Sequence, residues 1–343
     1  MRRLLPIALI APCLLVPAGR AAFGREAGPA TAFLVLPFEN VAEDPSLGWL
    51  STGLALHTAE HMRGEGCAVV DDEDRAVLLE GSGIPAGAPL TLASALELGR
   101  KMRSRPVGVR PDRLVLGRFN VQEGDLTLSA RVIDLATEGA HPWISRQGRL
   151  KDLIEVHTSL AQALARDSGA HAQGHTARNR GKDSDPPLLA FETYCRGMAE
   201  TDSKKRLALL RQALQEYPGY PVAAYQAATL LARGEKWDEA AETLKKATSD
   251  AHPYEAEFHL LSAMVALQRQ DPPGAAEEAR RSLEYSESAR AHVALGRARL
   301  AQGDRDAARY ELDKAQALDP AEPDLEDLRR LLKREAQAGG QKP

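Results

Sequence analysis

A short run of histidine and glutamate residues, His57-Thr58-Ala59-Glu60-His61, carries the residue types that could support metal chemistry. Two imidazoles four residues apart lie on one face of a helix, and a carboxylate beside them can activate a zinc-bound water for hydrolysis. The pattern needs a third ligand, and the sequence offers no clear one downstream. A five-residue pattern also arises by chance, and a solvated helix face is the alternative interpretation. We therefore expect no metal at His57, Glu60 and His61, and keep a zinc-dependent hydrolase as an alternative function.

Two further segments have the composition of ligand sites without the surroundings that such sites need. Gly81-Ser82-Gly83 is similar to the start of a dinucleotide-binding loop, but it follows a predicted helix rather than a strand, and Pro85 interrupts it. The consecutive carboxylates of 71–74 cannot all point at one calcium ion, and a helix start favours such charges. The sequence also lacks a phosphate-binding Gly-Lys-Ser/Thr loop and a Gly-x-Ser-x-Gly elbow. These points predict a non-catalytic protein without a cofactor.

The composition is that of a soluble globular protein, with 43% hydrophobic and 27% charged residues among 343. The 44 lysine and arginine residues are outnumbered by 48 aspartate and glutamate residues, so the formal net charge is -4. The long-range attraction that underlies non-specific nucleic-acid binding is therefore missing, and we do not expect nucleic acid as a partner. The length allows about two domains.

Residues 1–22 have the parts of a secretory signal peptide. Arg2 and Arg3 give a positive start, Leu4 to Val16 form an apolar stretch, and Gly19-Arg20-Ala21 offers a cleavage site before Ala22. The apolar stretch is too short to span a bilayer as a helix. We expect an exported protein, periplasmic or secreted, without a transmembrane segment after cleavage.

The three cysteines leave two questions open. Cys13 follows Leu9-Ile10-Ala11-Pro12, which loosely resembles the stretch before a lipidated cysteine, although Pro12 favours the ordinary signal peptide. After cleavage, Cys67 and Cys195 remain, and export would permit a disulfide between them. Both lie in apolar segments, where a small buried thiol is the commoner role.

A polar stretch at 167–186 separates two periodic regions. It contains glycine, serine, asparagine and charged residues and has no apolar pattern that could form a core. We predict a flexible linker that lets the two halves reorient, with His171 and His175 as solvated residues rather than metal ligands.

The carboxy-terminal half contains an internal repeat. Ala213, Ala247 and Ala315 recur at multiples of about 34 residues, a period that is typical of helical hairpins. Each of these alanines precedes a proline by five or six positions, and a proline there would stop a helix. The sequence therefore predicts stacked helical hairpins.

These hairpins resemble tetratricopeptide repeats. In the clearest copy, 289–322, the small and apolar positions of the repeat are occupied by Leu295-Gly296, Ala308, Leu312, Ala315 and Pro320. Gly296 and Ala308 would let the two helices of the hairpin approach closely. A second clear copy spans 221–254, weaker copies span 187–220 and 255–288, and 324–334 suits a capping helix. The predicted array covers residues 187–336.

Stacked hairpins of this kind form a superhelix whose inner surface usually binds a partner. The inner surface comes mainly from the first helix of each hairpin. The partner-binding candidates on these helices are Tyr225, Thr229, Arg233, His259, His292 and Arg299. We expect a protein or peptide partner, and a solvated or intrahelical role is the alternative for each residue.

The amino-terminal half has the pattern of a small mixed α/β unit. Apolar runs predict strands, and amphipathic periods between them predict helices. The predicted strands are 33–38, 67–70, 114–119, 126–133 and a short one at Trp143-Ile144, and the predicted helices are 47–64, 71–80, 92–102 and 153–164.

The order and spacing of these elements resemble the amino-terminal domain of TolB. The resemblance rests on 35–40, on the helix that begins with Gly48-Trp49-Leu50, and on 114–119 leading into 125–134, and it covers residues 32–166. No propeller-like run of strands follows, unlike in TolB. The resemblance implies a docking module of the cell envelope without catalytic residues.

The sequence thus predicts an α/β plus all-α protein, in which a TolB-like domain precedes an α-solenoid. We expect an exported, non-catalytic scaffold or adaptor with a partner in the cell envelope. A small-molecule-sensing regulatory module is a further alternative.

Overall fold

The computed structural model describes residues 31–65, 67–85, 87–105, 109–167, 186–247 and 254–339. The predicted signal peptide with Cys13 and nearly all of the predicted linker, including His171 and His175, lie outside the described residues. Residues 31–343 form one compact unit, to which all of the described residues belong.

The amino-terminal half is built on a mixed sheet. Its strands are β1 (Ala32–Val35), β2 (Glu39–Asn40), β3 (Ala68–Val69), β4 (Arg113–Gln122), β5 (Asp125–Asp134) and β6 (Ile144–Arg149). The strand order is β3-β1-β4-β5-β6, with β2 beside β4. β1 pairs in parallel with β3 and β4, whereas β4, β5 and β6 are antiparallel. Glu123 and Gly124 form the β4–β5 turn with positive φ angles of 51° and 82°, as a tight hairpin requires.

Helices cover both faces of this sheet. They are α1 (Gly48–Gly64), α2 (Asp72–Glu80), α3 (Leu92–Arg103) and α4 (Leu153–Asp167). On one face, Val115 and Phe119 pack in a core with residues of α1 and α4. On the other face, Leu114 and Leu116 pack with α2 and α3. This alternation follows from the two-residue period of β4.

The carboxy-terminal half contains the helices of the repeat array. These are α5 (Leu188–Ala199), α6 (Ser203–Glu216), α7 (Pro221–Arg233), α8 (Trp237–Lys246), α9 (Glu255–Gln268), α10 (Pro272–Tyr285), α11 (Ala289–Ala301), α12 (Arg305–Leu318) and α13 (Leu325–Gly339). Consecutive helices pack as the hairpins α5/α6, α7/α8, α9/α10 and α11/α12, and α13 packs on the last one. The predicted order of a mixed α/β region followed by an array of helical hairpins is confirmed.

Short polar residues set where several of these helices begin. The side chains of Asp202, Asp271, Ser288 and Asp304 each accept a hydrogen bond from a backbone N–H two or three residues later. Such caps satisfy donors that have no partner within the helix. These four helices therefore start where their own sequence supplies an oxygen.

Small residues allow the helices to approach closely. A Cβ atom added to Gly296 would lie 3.4 Å from the Ala308 carbonyl oxygen and 2.7 Å from Leu328 Cδ2 of α13. The predicted role of Gly296 and Ala308 at the hairpin contact is consistent with this geometry. Gly296 also makes room for α13, which packs at the end of the array.

The two halves share one hydrophobic core. This core includes Leu50 and Leu54 of α1, Leu160 of α4, Phe191 of α5 and Tyr220 before α7. A Cβ atom on Gly53 of α1 would lie 2.6 Å from the Cys195 sulfur of α5. The structure therefore differs from the expectation that the halves reorient, because α1 buries one side against the sheet and another against α5.

None of the helices among the described residues is long and apolar enough to cross a membrane.

Candidate functional site

The His57-Thr58-Ala59-Glu60-His61 segment lies in the interior of the protein. It belongs to α1, and His57, Glu60 and His61 are only 5%, 4% and 8% exposed. The segment lies where α1 meets α4 of the α/β unit and α5 of the first hairpin. The alternative interpretation of a solvated helix face is therefore wrong.

His57 belongs to a chain of buried hydrogen bonds with α4. The Thr58 hydroxyl donates to the Leu54 carbonyl oxygen at 2.7 Å, so its oxygen is left to accept from His157 Nε2, which lies 2.9 Å away. A neutral His157 then carries its proton on Nε2, and its Nδ1 accepts from His57 Nδ1 at 2.7 Å. The two rings stack with their centroids 4.7 Å apart.

The other two residues of the motif contact different partners. His61 Nε2 lies 3.3 Å from the Thr158 hydroxyl of α4. Tyr194 of α5 donates its hydroxyl to Glu60 Oε1 at 3.4 Å. The motif therefore joins three helices through polar side chains.

Burial controls the ionisation of this region. It lowers the pKa of His157 from 6.5 to about 3, because a charged imidazole would lose its hydration. Burial also raises the pKa of Tyr194 and of Cys195 well above their ordinary values, and the Glu60 carboxylate adds to both shifts. The region thus favours neutral imidazole, phenol and thiol groups.

The arrangement does not support metal-dependent hydrolysis. His57 and His61 direct ring nitrogens at His157 and Thr158. Within the described ranges, no group of three histidine, cysteine, aspartate or glutamate side chains could hold a metal ion. The geometry therefore gives the zinc hydrolase alternative no support.

The acidic run 71–74 is the start of a helix. Each carboxylate lies beside a different arginine: Asp71 near Arg63, Asp72 near Arg75, Glu73 near Arg233 and Asp74 near Arg105, the first pair being 3.5 Å apart and the last 2.8 Å. These carboxylates diverge rather than converge on one ion, which agrees with the rejection of a calcium site. Cys67 and Cys195 are both buried and free.

Among the three partner-binding candidates on α7, Arg233 contacts the α/β unit directly, Tyr225 is linked to it through Tyr254, and Thr229 is bonded within the helix. Arg233 Nη2 donates to Glu73 Oε2 of α2 at 2.8 Å. Tyr225 stacks on Tyr254 with centroids 5.4 Å apart, and Arg63 of α1 donates to the Tyr254 hydroxyl at 2.6 Å. Thr229 donates to the Tyr225 carbonyl oxygen within α7.

The other three candidates make contacts within their own hairpins. His259 Nδ1 lies 2.7 Å from Glu278 Oε2, and His292 Nδ1 lies 2.6 Å from Glu311 Oε2. These pairs connect the first and second helices of successive hairpins at equivalent positions. Arg299 Nη1 donates to Gln302 at 3.4 Å. This His–Glu pair was not predicted from the sequence, although the same two residue types recur in the sequence of the next hairpin.

Charged side chains of α9 and α11 lie close enough to Tyr225 to influence its pKa. Burial raises the pKa of Tyr225 to about 12, and Glu257 and Asp71 add to this shift while Arg290 opposes it. Met264 is 39% exposed, and Glu257 and Arg290 are exposed residues. Partial burial of the Glu257 carboxyl nevertheless raises its pKa, and Arg290 Nε lies 3.7 Å from Glu322 Oε1. Glu257, Met264 and Arg290 were not selected from the sequence. Glu257 and Arg290 occupy equivalent positions on successive first helices, and this recurrence could have identified those two.

Family models described as tetratricopeptide repeat match residues 202–265 and 260–323. The chain therefore contains tetratricopeptide repeats, which are a basis for protein–protein interaction. No curated protein gives a significant match.

Solved structures of other proteins align with about half of the chain. Residues 41 to the end of MamA from Desulfovibrio magneticus RS-1 align with 16% identity, 50% of this chain, 91% of that chain and a TM-score of 0.35. A thermophilic TPR protein from Thermus thermophilus aligns with 16% identity, 52% and 90% coverage and a TM-score of 0.34. A PelC dodecamer from Paraburkholderia phytofirmans aligns with 16% identity, 42% and 90% coverage and a TM-score of 0.26.

Proposed function

We propose that this chain is an exported, non-catalytic scaffold or adaptor whose repeat array binds a protein or peptide partner of the cell envelope. The tetratricopeptide repeats support this proposal, because such arrays present an extended surface rather than a reaction centre. The buried state of the His57–His61 segment removes the strongest catalytic candidate from solvent.

The partner-binding surface in this proposal is the inner surface formed by α9 and α11. The observation that carries it is the exposure of Glu257, Met264 and Arg290 on these first helices. By contrast, the first helix α5 is occupied by α1, since Phe191 and Tyr194 contact His57 and Glu60. Arg233 of α7 is held by Glu73. A partner therefore has its best access through the third and fourth hairpins.

The α/β unit is the second docking module of the proposal. Its resemblance to the amino-terminal domain of TolB over 32–166 supports this role, and the signal-peptide pattern of 1–22 supports export. Recovery of a mature chain that begins at Ala22 from the envelope or the medium would test the export step. Retention of the intact amino terminus inside the cell would refute it.

Paired variants test the binding surface. We expect Met264→Lys and Arg290→Glu to reduce chemical crosslinking of the full chain to its partners in envelope extract. Tyr310→Lys and Lys314→Glu introduce the same charges on exposed positions of the second helix α12 and should leave crosslinking unchanged. Identical partners and yields for all four variants would show that this surface is not the binding element.

A further inference from the structure

Three buried imidazoles, those of His57, His61 and His157, lie where α1 packs against α4 of the α/β unit and against α5, the first helix of the array. His57 is shared by both sides, because its ring stacks on His157 of α4 and lies 5.4 Å from the Phe191 ring of α5. We infer that this cluster is an acid-sensitive joint, at which protonation of His157 separates α5 from α1. The inference stands apart from the proposed function, because it requires no partner.

The hydrogen-bond chain is arranged for a neutral His157. Its Nε2–H is used by Thr58, and its bare Nδ1 accepts from His57 Nδ1–H. Protonation of His157 would turn its Nδ1 into a second donor, so the 2.7 Å contact would survive only if His57 moved its own proton from Nδ1 to Nε2. The hydrogen-bond pattern of the closed cluster therefore fits neutral His157, and burial disfavours the charged form, which water would hydrate in the open state.

The groups around the cluster do not supply a counter-charge for His157. The titratable groups of the cluster and of the helix packed on it are His57, Glu60 and His61 on α1 and Tyr194 and Cys195 on α5, and the Phe38 ring lies 6.2 Å from the His157 ring. Glu60 is in contact with Tyr194. The influences on His157 itself are burial, which disfavours its charge, and the Leu54 carbonyl oxygen, which favours it. Burial is the larger of the two.

The contact with α5 is the route by which water can reach the cluster. α1 and α4 both pack in the core of the sheet, with Leu54 and Leu160 fully buried. α5 is joined to α1 by side-chain contacts, chiefly Phe191 against His57 and Trp49, and Tyr194 against Glu60. Loss of these contacts exposes His57 and then His157, while the sheet stays intact.

The direction of the pH effect follows from the depressed pKa. In the closed state His157 stays neutral down to about pH 3, whereas a hydrated imidazole titrates near 6.5. The open state therefore binds a proton that the closed state does not, and acidification below pH 6.5 favours opening. For a single proton, the opening equilibrium rises by about fifty-fold between pH 6.5 and pH 4.5.

Hydrogen–deuterium exchange of the full mature chain tests the joint. After correction for intrinsic exchange rates, we expect amides of α5 to lose protection as pH falls from 7.5 to 4.5, while β4 and β5 keep theirs. Unchanged protection of α5 would overturn the inference. Simultaneous loss in α5, β4 and β5 would also overturn it, because that is global unfolding.

Two non-titrating variants assign the effect to His157. His157→Gln keeps a donor for Thr58, and His157→Asn keeps an acceptor for His57, so at least one should preserve the packing. In the parent, the opening equilibrium of α5 should rise by about fifty-fold between pH 6.5 and pH 4.5. In either variant that folds, it should rise by no more than about ten-fold. The control His141→Gln alters a histidine beside Asp167, away from the cluster, and should keep the full response. A full response in both His157 variants would refute the assignment.

Discussion

At the scale of single residues, the two histidines that could have been ligands, His57 and His61, lie within hydrogen-bond distance of side chains of α4. A buried imidazole is tolerated when both of its nitrogens have partners and its charge is not required. His157 meets both conditions through Thr58 and His57. His57 therefore has a structural role as the hydrogen-bond partner of His157.

This role predicts the behaviour of His57→Ala. We expect a loss of about 2–4 kcal/mol in the free energy of unfolding, because the change leaves a cavity and removes the donor to His157. Urea unfolding measures it, and His141→Ala, at a more exposed histidine, should cost less than about 1 kcal/mol. Metal analysis of the same samples is the second readout. Stoichiometric zinc in the parent that His57→Ala abolishes would instead favour the hydrolase alternative.

Cys67 and Cys195, which remain after the predicted signal cleavage, should not react with thiol reagents in the folded protein. Burial raises the pKa of Cys67 to about 11 and that of Cys195 well above its ordinary value, so both are neutral thiols at pH 8. Because the thiolate is the nucleophile, we expect no maleimide labelling at pH 8 in buffer and labelling of both cysteines in denaturant. Mass spectrometry counts the labels. Absence of labelling in denaturant would reveal a disulfide that the structure does not contain.

Sequence patterns predicted the helices that carry His57, His259 and His292, but not the side chains that surround them. The helix around His57 was expected, yet its burial depends on His157, which follows 100 residues later, and on α5 beyond it. The five residues of the motif do not indicate which distant segments of the chain pack against them. The groove candidates show the same limit, because the choice of His259 and His292 rested on repeat position without knowledge of Glu278 and Glu311.

At the scale of secondary-structure elements, the contact of α1 with α5 is the central feature of the molecule. It is tight because Gly53 has no side chain where the Cys195 sulfur lies. Helices that approach this closely need a small residue at the crossing point. A single methyl group added at this contact should therefore change the free energy of unfolding.

Gly53→Ala tests this contact. Alanine favours a helix by about 1 kcal/mol over glycine, but we expect a net loss of about 1–3 kcal/mol here, because the new methyl group would lie 2.6 Å from the sulfur. Thermal unfolding measures the difference. Gly48→Ala is the matched control in the same helix, since nothing lies within 4 Å of its added Cβ, and it should be neutral or slightly stabilising. Addition of Cys195→Ala should recover part of the loss, and a purely additive double variant would contradict the proposed clash.

The regular elements were the part of the fold most accessible from sequence. The period of the repeat located the four hairpins, and alternating apolar residues located the β4–β5 hairpin, because these patterns are local. The two-residue strand β2 and the extension of β6 to Arg149 were missed. Both are set by pairing with neighbouring strands, and their own residues are polar.

At the scale of the whole molecule, the shared core makes the α/β unit and the first hairpins one structural body. The core extends from Phe33 in β1 to Tyr254 before α9. The last hairpin uses a separate cluster around Leu312 and Leu328. Stability in repeat arrays is carried by neighbouring contacts, so these regions need not unfold together.

We expect one unfolding transition for the α/β unit with α5, α6 and α7. Pulsed hydrogen exchange along a urea gradient should show β4, α1 and α5 losing protection at the same midpoint, because they share buried side chains. α11 and α12 provide an internal comparison and can unfold at a lower midpoint. Loss of α5 well before β4 at neutral pH would show that the two halves are independent after all.

The junction of α1 and α5 also limits how such a chain can be rearranged by gene fusion. Exchange of the repeat array within the stretch 167–186 would place a foreign helix against Gly53 and His57, where a larger or polar side chain meets no matching surface. A fusion that keeps α5 and its Phe191 and Cys195 carries the complementary surface with it. The building block that such a fusion must keep is therefore longer than the α/β unit, because α6 and α7 share the same core as α5.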